Sequence, residues 1–265
     1  MSHWTDIHCH LLPGIDDGAS DQAATIAMAR LAVDEGIETI IATPHQLGQY
    51  RSNTGDDIRR RVREVQALLD RHGIDLRVLP GGDVRIEDDL VEQLETGQVV
   101  SLGDHRRHVL LELPHELYMP IEPLLAQLDR HGYVGILSHP ERNGGLLKDR
   151  SLIAPLVDRG CLMQVTCGSL LGTFGPASQR LAEWMLAEGL VHFLATDAHS
   201  PQSRRPKMRD AYRRACALVG AEMADLICQH NPAAVAQGHD VARGRVMAQR
   251  TATQQSSWWP WRRSA

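Results

Sequence analysis

Histidines and carboxylates recur in short clusters along the chain: His8 and His10, Asp17, His45, Asp83, Glu112, His139, and Asp197 with His199. Imidazole nitrogens and carboxylate oxygens are the usual ligands of zinc, iron, manganese and magnesium, and a catalytic ion takes about three of them from the protein. Nine candidates exceed the needs of one ion, so two or three divalent ions are expected. In Asp6-Ile7-His8-Cys9-His10, alternate residues of an extended strand put His8 and His10 on one side, within reach of one ion. His-x-His alone is a weak signal, equally readable as two polar residues at a strand end. Asp16-Asp17-Gly18 likewise reads as a turn leading to a helix N-cap at Ser20. The set carries more weight than its members, because gathering so many ionisable groups without cations is costly.

Strands and helices must alternate to place these residues. Ser20 to Glu35 and Asp57 to His72 have helical patterning and stop at Gly36 and Gly73. Further helices are expected near Ile121 to Arg130, near Leu152 to Asp158, from Pro176 to Ala187, and in the C-terminal portion, where Asn231-Pro232 ends a stretch from about Ala221. Between them, short apolar runs predict seven strands: Trp4 to His8, Thr39 to Ala42, Leu76 to Leu79, His108 to Leu113, Val134 to Leu137, Cys161 to Val165 and Val191 to Ala195. This order implies right-handed βαβ units and a parallel sheet, either closed as a barrel or open and doubly wound. Six of the seven strands are followed by a possible metal or phosphate ligand. In an α/β barrel those ends converge on one face. Gly81-Gly82 is too short for a phosphate loop and reads as a tight strand exit.

The whole-chain composition narrows the class. At 265 residues, 43% hydrophobic and 23% charged, the chain fits one large soluble domain over residues 1–245, followed by a tail over 246–265, rather than a disordered or coiled-coil protein. A net charge of −5 gives no footprint for sequence-independent nucleic-acid binding. No secretory signal or span of about 18 apolar residues is visible, so a cytoplasmic protein is expected. The five cysteines sit in apolar or small-residue segments, as reduced interior thiols do. None has an arginine six positions on (those residues are Ile15, Cys167, Thr173, Glu222 and Ala234), which excludes the loop of thiol phosphatases.

The ordered motifs Asp6-Ile7-His8-Cys9-His10, Thr43-Pro44-His45, Glu112, Ser138-His139-Pro140-Glu141-Arg142 and Asp197-Ala198-His199 resemble the polymerase and histidinol phosphatase (PHP) superfamily, over residues 6 to about 232. Leu11-Leu12-Pro13-Gly14-Ile15-Asp16-Asp17-Gly18 is similar to the branch of bacterial metal-dependent protein-tyrosine phosphatases of capsule and exopolysaccharide synthesis, the CpsB and YwqE type. The resemblance implies an α/β fold with a distorted seven-stranded (β/α)7 TIM-like barrel. It also implies a cluster of two or three ions, with manganese preferred over iron, zinc or magnesium, and dephosphorylation of tyrosines on a polysaccharide-assembly kinase. The family usually has glutamate where Asp83 stands, so the shorter side chain puts its bridging role in question.

Clustered divalent ions supply a nucleophile at neutral pH and positive charge against phosphoryl oxygens, so the expected mechanism is in-line attack by metal-bound hydroxide without a phosphoenzyme. Arg142 and Arg204 are the candidates to hold the phosphate, with Arg205 as an adjacent substitute; the plain alternative for each is a solvated surface arginine. His199 or a metal-bound water is the candidate proton donor, although a phenol with a pKa of about 10 leaves without strong acid assistance. Two other readings compete: a histidinol-phosphate or other small phosphomonoester phosphatase of the same superfamily, and a non-catalytic metal-stabilised regulator of a polysaccharide kinase. In the tail, Trp258, Trp259 and Trp261 beside Arg262 and Arg263 either pack locally or make transient contact with the inner face of the membrane or with the kinase.

Overall fold

Parallel strands alternate with helices in the computed structural model, which describes residues 4–246. The strands are β1 (Trp4–Cys9), β2 (Ile37–Ala42), β3 (His45–Gln46), β4 (Arg77–Pro80), β5 (Asp83–Arg85), β6 (His108–Glu112), β7 (Val134–Ser138), β8 (Leu162–Thr166) and β9 (Phe193–Ala195). The helices are α1 (Gln22–Glu35), α2 (Gly55–Arg71), α3 (Leu90–Glu95), α4 (Glu122–Arg130), α5 (Gly144–Lys148), α6 (Ile153–Asp158), α7 (Cys167–Leu170), α8 (Gly175–Ala187), α9 (Arg209–Val219), α10 (Ala221–Asp225) and α11 (Asn231–Ala236). The tryptophan- and arginine-rich tail lies outside the described residues.

The α/β alternation matches the sequence reading, with one difference in the strands. Two of the seven expected strands are broken, so nine segments fill seven positions and separate into a sheet β1-β2-β4 and a sheet β3-β5-β6-β7-β8-β9. Pro44 interrupts the first: it has no N–H to give a ladder, while its carbonyl accepts the Asp83 N–H at 3.1 Å. Gly81-Gly82 interrupts the second. A Cβ at Gly81 would lie 2.7 Å from Ile41 Cγ2 and one at Gly82 2.4 Å from Gln46 Oε1, so the chain passes here only as glycine. Beyond both breaks the strands resume, and His45 pairs with Asp83.

The ends of the array meet past β9 rather than along it. The Asp197 N–H donates to the His8 carbonyl at 2.8 Å and the His10 N–H to the Ala198 carbonyl at 2.9 Å. The interior carries an apolar layer of Ile7, Ile41, Leu110, Ile136, Leu162 and Phe193, joined by Val235 and Ala236 of α11. These strand residues are fully buried, which explains their continuous apolar runs.

Two expected boundaries are corrected. Helix α1 is capped by Asp21, whose Oδ1 accepts the Ala24 N–H at 2.8 Å, and not by Ser20. Asn231-Pro232 opens α11 instead of ending a helix: a π-helical turn, Leu226–His230, leads into it without a break in helical backbone at His230.

Candidate metal centre

Strand β1 delivers the first two imidazoles. His8 Nδ1 lies 2.8 Å from Gln164 Oε1 of β8, and His10 Nδ1 lies 2.7 Å from Asp16 Oδ2. An acceptor on one ring nitrogen fixes the tautomer and aims the other. Both residues therefore present Nε2, and these atoms lie 3.3 Å apart. Asp16 also takes the Gly18 N–H on Oδ1 at 2.9 Å and the His45 N–H on Oδ2 at 3.1 Å. The turn read from the sequence is thus also the support of a ligand. Gly18 is obligatory in that turn, because a Cβ there would sit 2.3 Å from the His10 carbonyl oxygen.

All nine candidates come together. Asp17 Oδ1 lies 3.4 Å from both His45 Nε2 and His199 Nε2. Asp83 Oδ2 lies 3.3 Å from His45 Nδ1 and 3.6 Å from His8 Nε2, so the shorter carboxylate still reaches. Glu112 contributes Oε2 at 3.4 Å from His45 Nδ1 and Oε1 at 3.8 Å from His139 Nε2. Asp197 Oδ1 is 3.4 Å from His8 Nε2 and 3.6 Å from His10 Nε2. These atoms form four overlapping groups: His10, Asp17, His45 and His199; His8, His10 and Asp197; His8, Asp83 and His139; His45, Asp83 and Glu112. His139 and Asp197 hold left-handed backbone conformations, at φ 33° and 51°, uncommon for residues other than glycine and frequent at functional sites. His199 Nδ1 meets the Asp197 carbonyl at 2.9 Å; it must donate there, which leaves the lone pair on Nε2.

The donor set fits cations. Both Asp83 carboxylate oxygens are buried without a hydrogen bond, an arrangement that is expensive unless another positive partner is present. Burial opposes charge on Asp83, yet the imidazoles of His8 and His45 hold its pKa well below the usual carboxylate range. In return, and against burial, Asp197 and Asp83 raise His8 to about 9, and the neighbouring Asp17 and Asp83 carboxylates push His45 up to about 12. Burial and then the Asp83 charge raise Glu112 to about 7. Burial and then His199 lower His10 to about 4; burial and then Arg142 lower His139 to about 3. The carboxylates thus favour positive charge at His8 and His45, the place that divalent ions would take. Nine nitrogen and oxygen donors without a thiolate suit manganese, iron, zinc or magnesium.

Arg142 and Arg204 meet at the edge of this cluster. Both donate to Asp197 Oδ2, Arg204 Nη2 at 2.5 Å, while Asp197 Oδ1 faces the imidazoles. Phe174, which carried no signal in the sequence, lies beneath both: its ring centroid is 4.2 Å from Arg142 Cζ and 5.6 Å from Arg204 Cζ. Arg204 Nε is buried and has no partner. Arg205 turns away, its Nε donating to the Gln202 carbonyl at 3.1 Å. Gln164 carries one weak signal in the sequence, a lone polar residue in an otherwise apolar strand.

Comparison with known proteins agrees with this geometry. A family model described as capsular polysaccharide synthesis, CpsB/CapC, matches residues 4–237. The chain is 38% identical over 208 residues to the tyrosine-protein phosphatase YwqE of Bacillus subtilis, covering 78% of this chain and 81% of that protein. It is 25% identical over 232 residues to the tyrosine-protein phosphatase CpsB of Streptococcus pneumoniae, covering 86% and 96%. A crystal structure from work on YwqE and CpsB, described as unique metal-dependent tyrosine phosphatases, superimposes with a TM-score of 0.86 at 34% identity, covering 92% of this chain and all of the other. The chain belongs to the CpsB/CapC family of capsular polysaccharide synthesis.

Proposed function

We propose that the protein is a metal-dependent protein-tyrosine phosphatase that acts on a tyrosine-phosphorylated kinase of capsular or exopolysaccharide assembly. One observation carries the reading: a cluster of nine nitrogen and oxygen donors whose edge is formed by two arginines sharing Asp197. The reading assigns residues 1–245 to one catalytic domain and 246–265 to a tail.

Two or three divalent ions, with manganese preferred, are held by His8, His10, Asp17, His45, Asp83, Glu112, His139, Asp197 and His199. When bound, such ions supply an acidified water and positive charge against the phosphoryl oxygens. The chain does the rest. Arg142 and Arg204 turn their free N–H groups to the phosphate, a planar fork matched to its oxygens. Asp197 holds both guanidinium groups in place, and Asp16 and Gln164 keep His10 and His8 in register. A tyrosine phenol, with a pKa of about 10, leaves without a strong side-chain acid. His199 serves as a ligand through Nε2 in preference to donating a proton. Cys9 is no nucleophile: burial raises its thiol pKa well above normal.

Five unpaired cysteines among the described residues support a cytoplasmic protein. No described helix is long and apolar enough to cross a membrane. Contact of the tail with membrane or kinase through Trp258, Trp259 and Trp261 is tested by deleting residues 256–265 and measuring liposome and kinase binding.

The central experiment strips the protein of metal, restores each ion separately, and compares phosphotyrosine peptide with histidinol phosphate. Activity that requires an ion and prefers the peptide is expected. Full activity without metal overturns the mechanism, and preference for histidinol phosphate selects the small-molecule reading. Loss of turnover in folded His139→Ala separates an enzyme from a non-catalytic regulator.

A further inference from the structure

Three clefts among the described residues adjoin this centre and could take the organic substituent of a bound phosphoryl group. Beside the arginines, the cleft over Phe174 is about 40 Å³, and Arg142 already covers the ring face. Beside His199, a cleft of about 390 Å³ is lined by small and polar residues such as Ala23, Ala24, Ser200 and Gln202. The third, about 180 Å³, has the ligands His45 and Glu112 in its wall, with Leu47, Tyr50, Leu113, Pro114, Arg85 and His115 around them. A buried apolar cavity of about 150 Å³ accepts benzene, and the third cleft, open to solvent and polar along one wall, has a similar volume.

The cleft is also built to present a flat face. The Tyr50 ring stacks on the His45 imidazole at 5.2 Å and 18°. Its loop is tied at several points: Tyr50 N–H donates to the Leu47 carbonyl at 2.9 Å, Gly48 N–H to Glu87 Oε1 at 2.7 Å, and Asn53 Nδ2 to the His45 carbonyl at 2.9 Å. Leu47 holds φ +66°, a left-handed conformation that a leucine keeps only where its surroundings impose it. Gly48 passes so close to Arg85 that a Cβ would lie 2.6 Å from Arg85 Cδ. Leu47 and Leu113 are buried and add apolar wall.

We propose that the cleft between Tyr50 and Leu113-Pro114 binds the aromatic ring of an aryl phosphomonoester, so that Tyr50 selects aryl over alkyl phosphates. The proposal rests on the phosphatase reading and names the subsite for the leaving group. An alkyl phosphate reaches the same centre but leaves the Tyr50 face uncovered.

The test uses the manganese-loaded full chain and two non-hydrolysable probes, phenylphosphonate and methylphosphonate, with affinities measured by calorimetry. Wild type is expected to prefer phenylphosphonate. Tyr50→Ala should weaken phenylphosphonate about five- to tenfold, the scale of a lost aromatic pair, and leave methylphosphonate and bound manganese unchanged. Tyr50→Phe should stay within about twofold of wild type. If Tyr50→Ala does not fold, Tyr50→Leu, which keeps apolar bulk without a flat face, should show the same selective loss. Equal weakening of both probes, loss of manganese with the ring, or no preference in wild type overturns the proposal. These are binding readouts, so they remain interpretable if the loaded protein hydrolyses no phosphomonoester, the outcome that would remove the phosphatase reading itself.

Discussion

Asp16 Oδ2 accepts the Nδ1–H of His10 at 2.7 Å, so a residue read from the sequence as part of a turn sets the aim of a candidate ligand. Asp16→Asn should keep the turn and weaken that support. Partners of this kind are worth about 10- to 100-fold in metal affinity. Ion titration of the apo-protein followed by fluorescence or calorimetry should show this loss; unchanged affinity would assign Asp16 to the turn alone.

Asp83 is buried with neither oxygen hydrogen-bonded, so metal binding should stabilise the fold. An ion at about 100 times its dissociation constant adds about 2.7 kcal/mol. For a protein of this size, about 2–4 °C per kcal/mol gives a rise in Tm of about 5–10 °C on loading. Asp83→Asn removes the charge at nearly the same volume and should abolish most of that rise, and by taking away the anion that faces His8 and His45 it should also lower the Tm of the metal-free protein. Calorimetric scans with and without EDTA check both expectations.

Arg142 and Arg204 share one carboxylate oxygen above Phe174, and two cations so close repel unless something holds them. Phe174→Leu should raise KM for p-nitrophenyl phosphate about three- to tenfold with a smaller effect on kcat, corresponding to about 0.5–1.5 kcal/mol of cation–π interaction. Phe174→Tyr should restore it. Arg204→Lys replaces the planar fork by a point charge and should lower kcat/KM by about 100-fold or more.

Acid should destabilise the protein through two buried histidines remote from the centre. Burial lowers His108 and His192 to about 4, and His108 has no partner on either ring nitrogen. An unfolded histidine titrates near about 6.5. Between about 6.5 and 4 the unfolded chain takes up protons that the folded chain refuses, so this stability is complete above about pH 6.5 and is lost as pH falls. Each histidine accounts for about 2–3 kcal/mol by pH 4. The urea midpoint of His108→Phe should therefore fall less between pH 7 and 4.5 than that of wild type.

The candidate ligands are legible because chemistry repeats at strand ends: His8 and His10 by alternation, His139 and Asp197 by their place after apolar runs. The supporting residues are not. Gln164 and Asp16 act across 156 and 6 positions of sequence, on side chains whose own patterns read as strand and turn. Phe174 stands in the connection before α8, and only the folded chain brings it under two arginines. The breaks at Pro44 and Gly81-Gly82 were visible as residues, but splitting the array into two sheets depends on how closely Ile41 and Gln46 approach the glycines.

The His8 and His10 backbone is paired by Asp197 and Ala198, and the floor of the interior includes Val235 and Ala236. The two donors of β1 are therefore clamped by a segment that follows β9, more than 180 positions further along the chain. Cutting the chain anywhere between β1 and β9 would part the two sides of that clamp, so neither fragment would carry the complete cage.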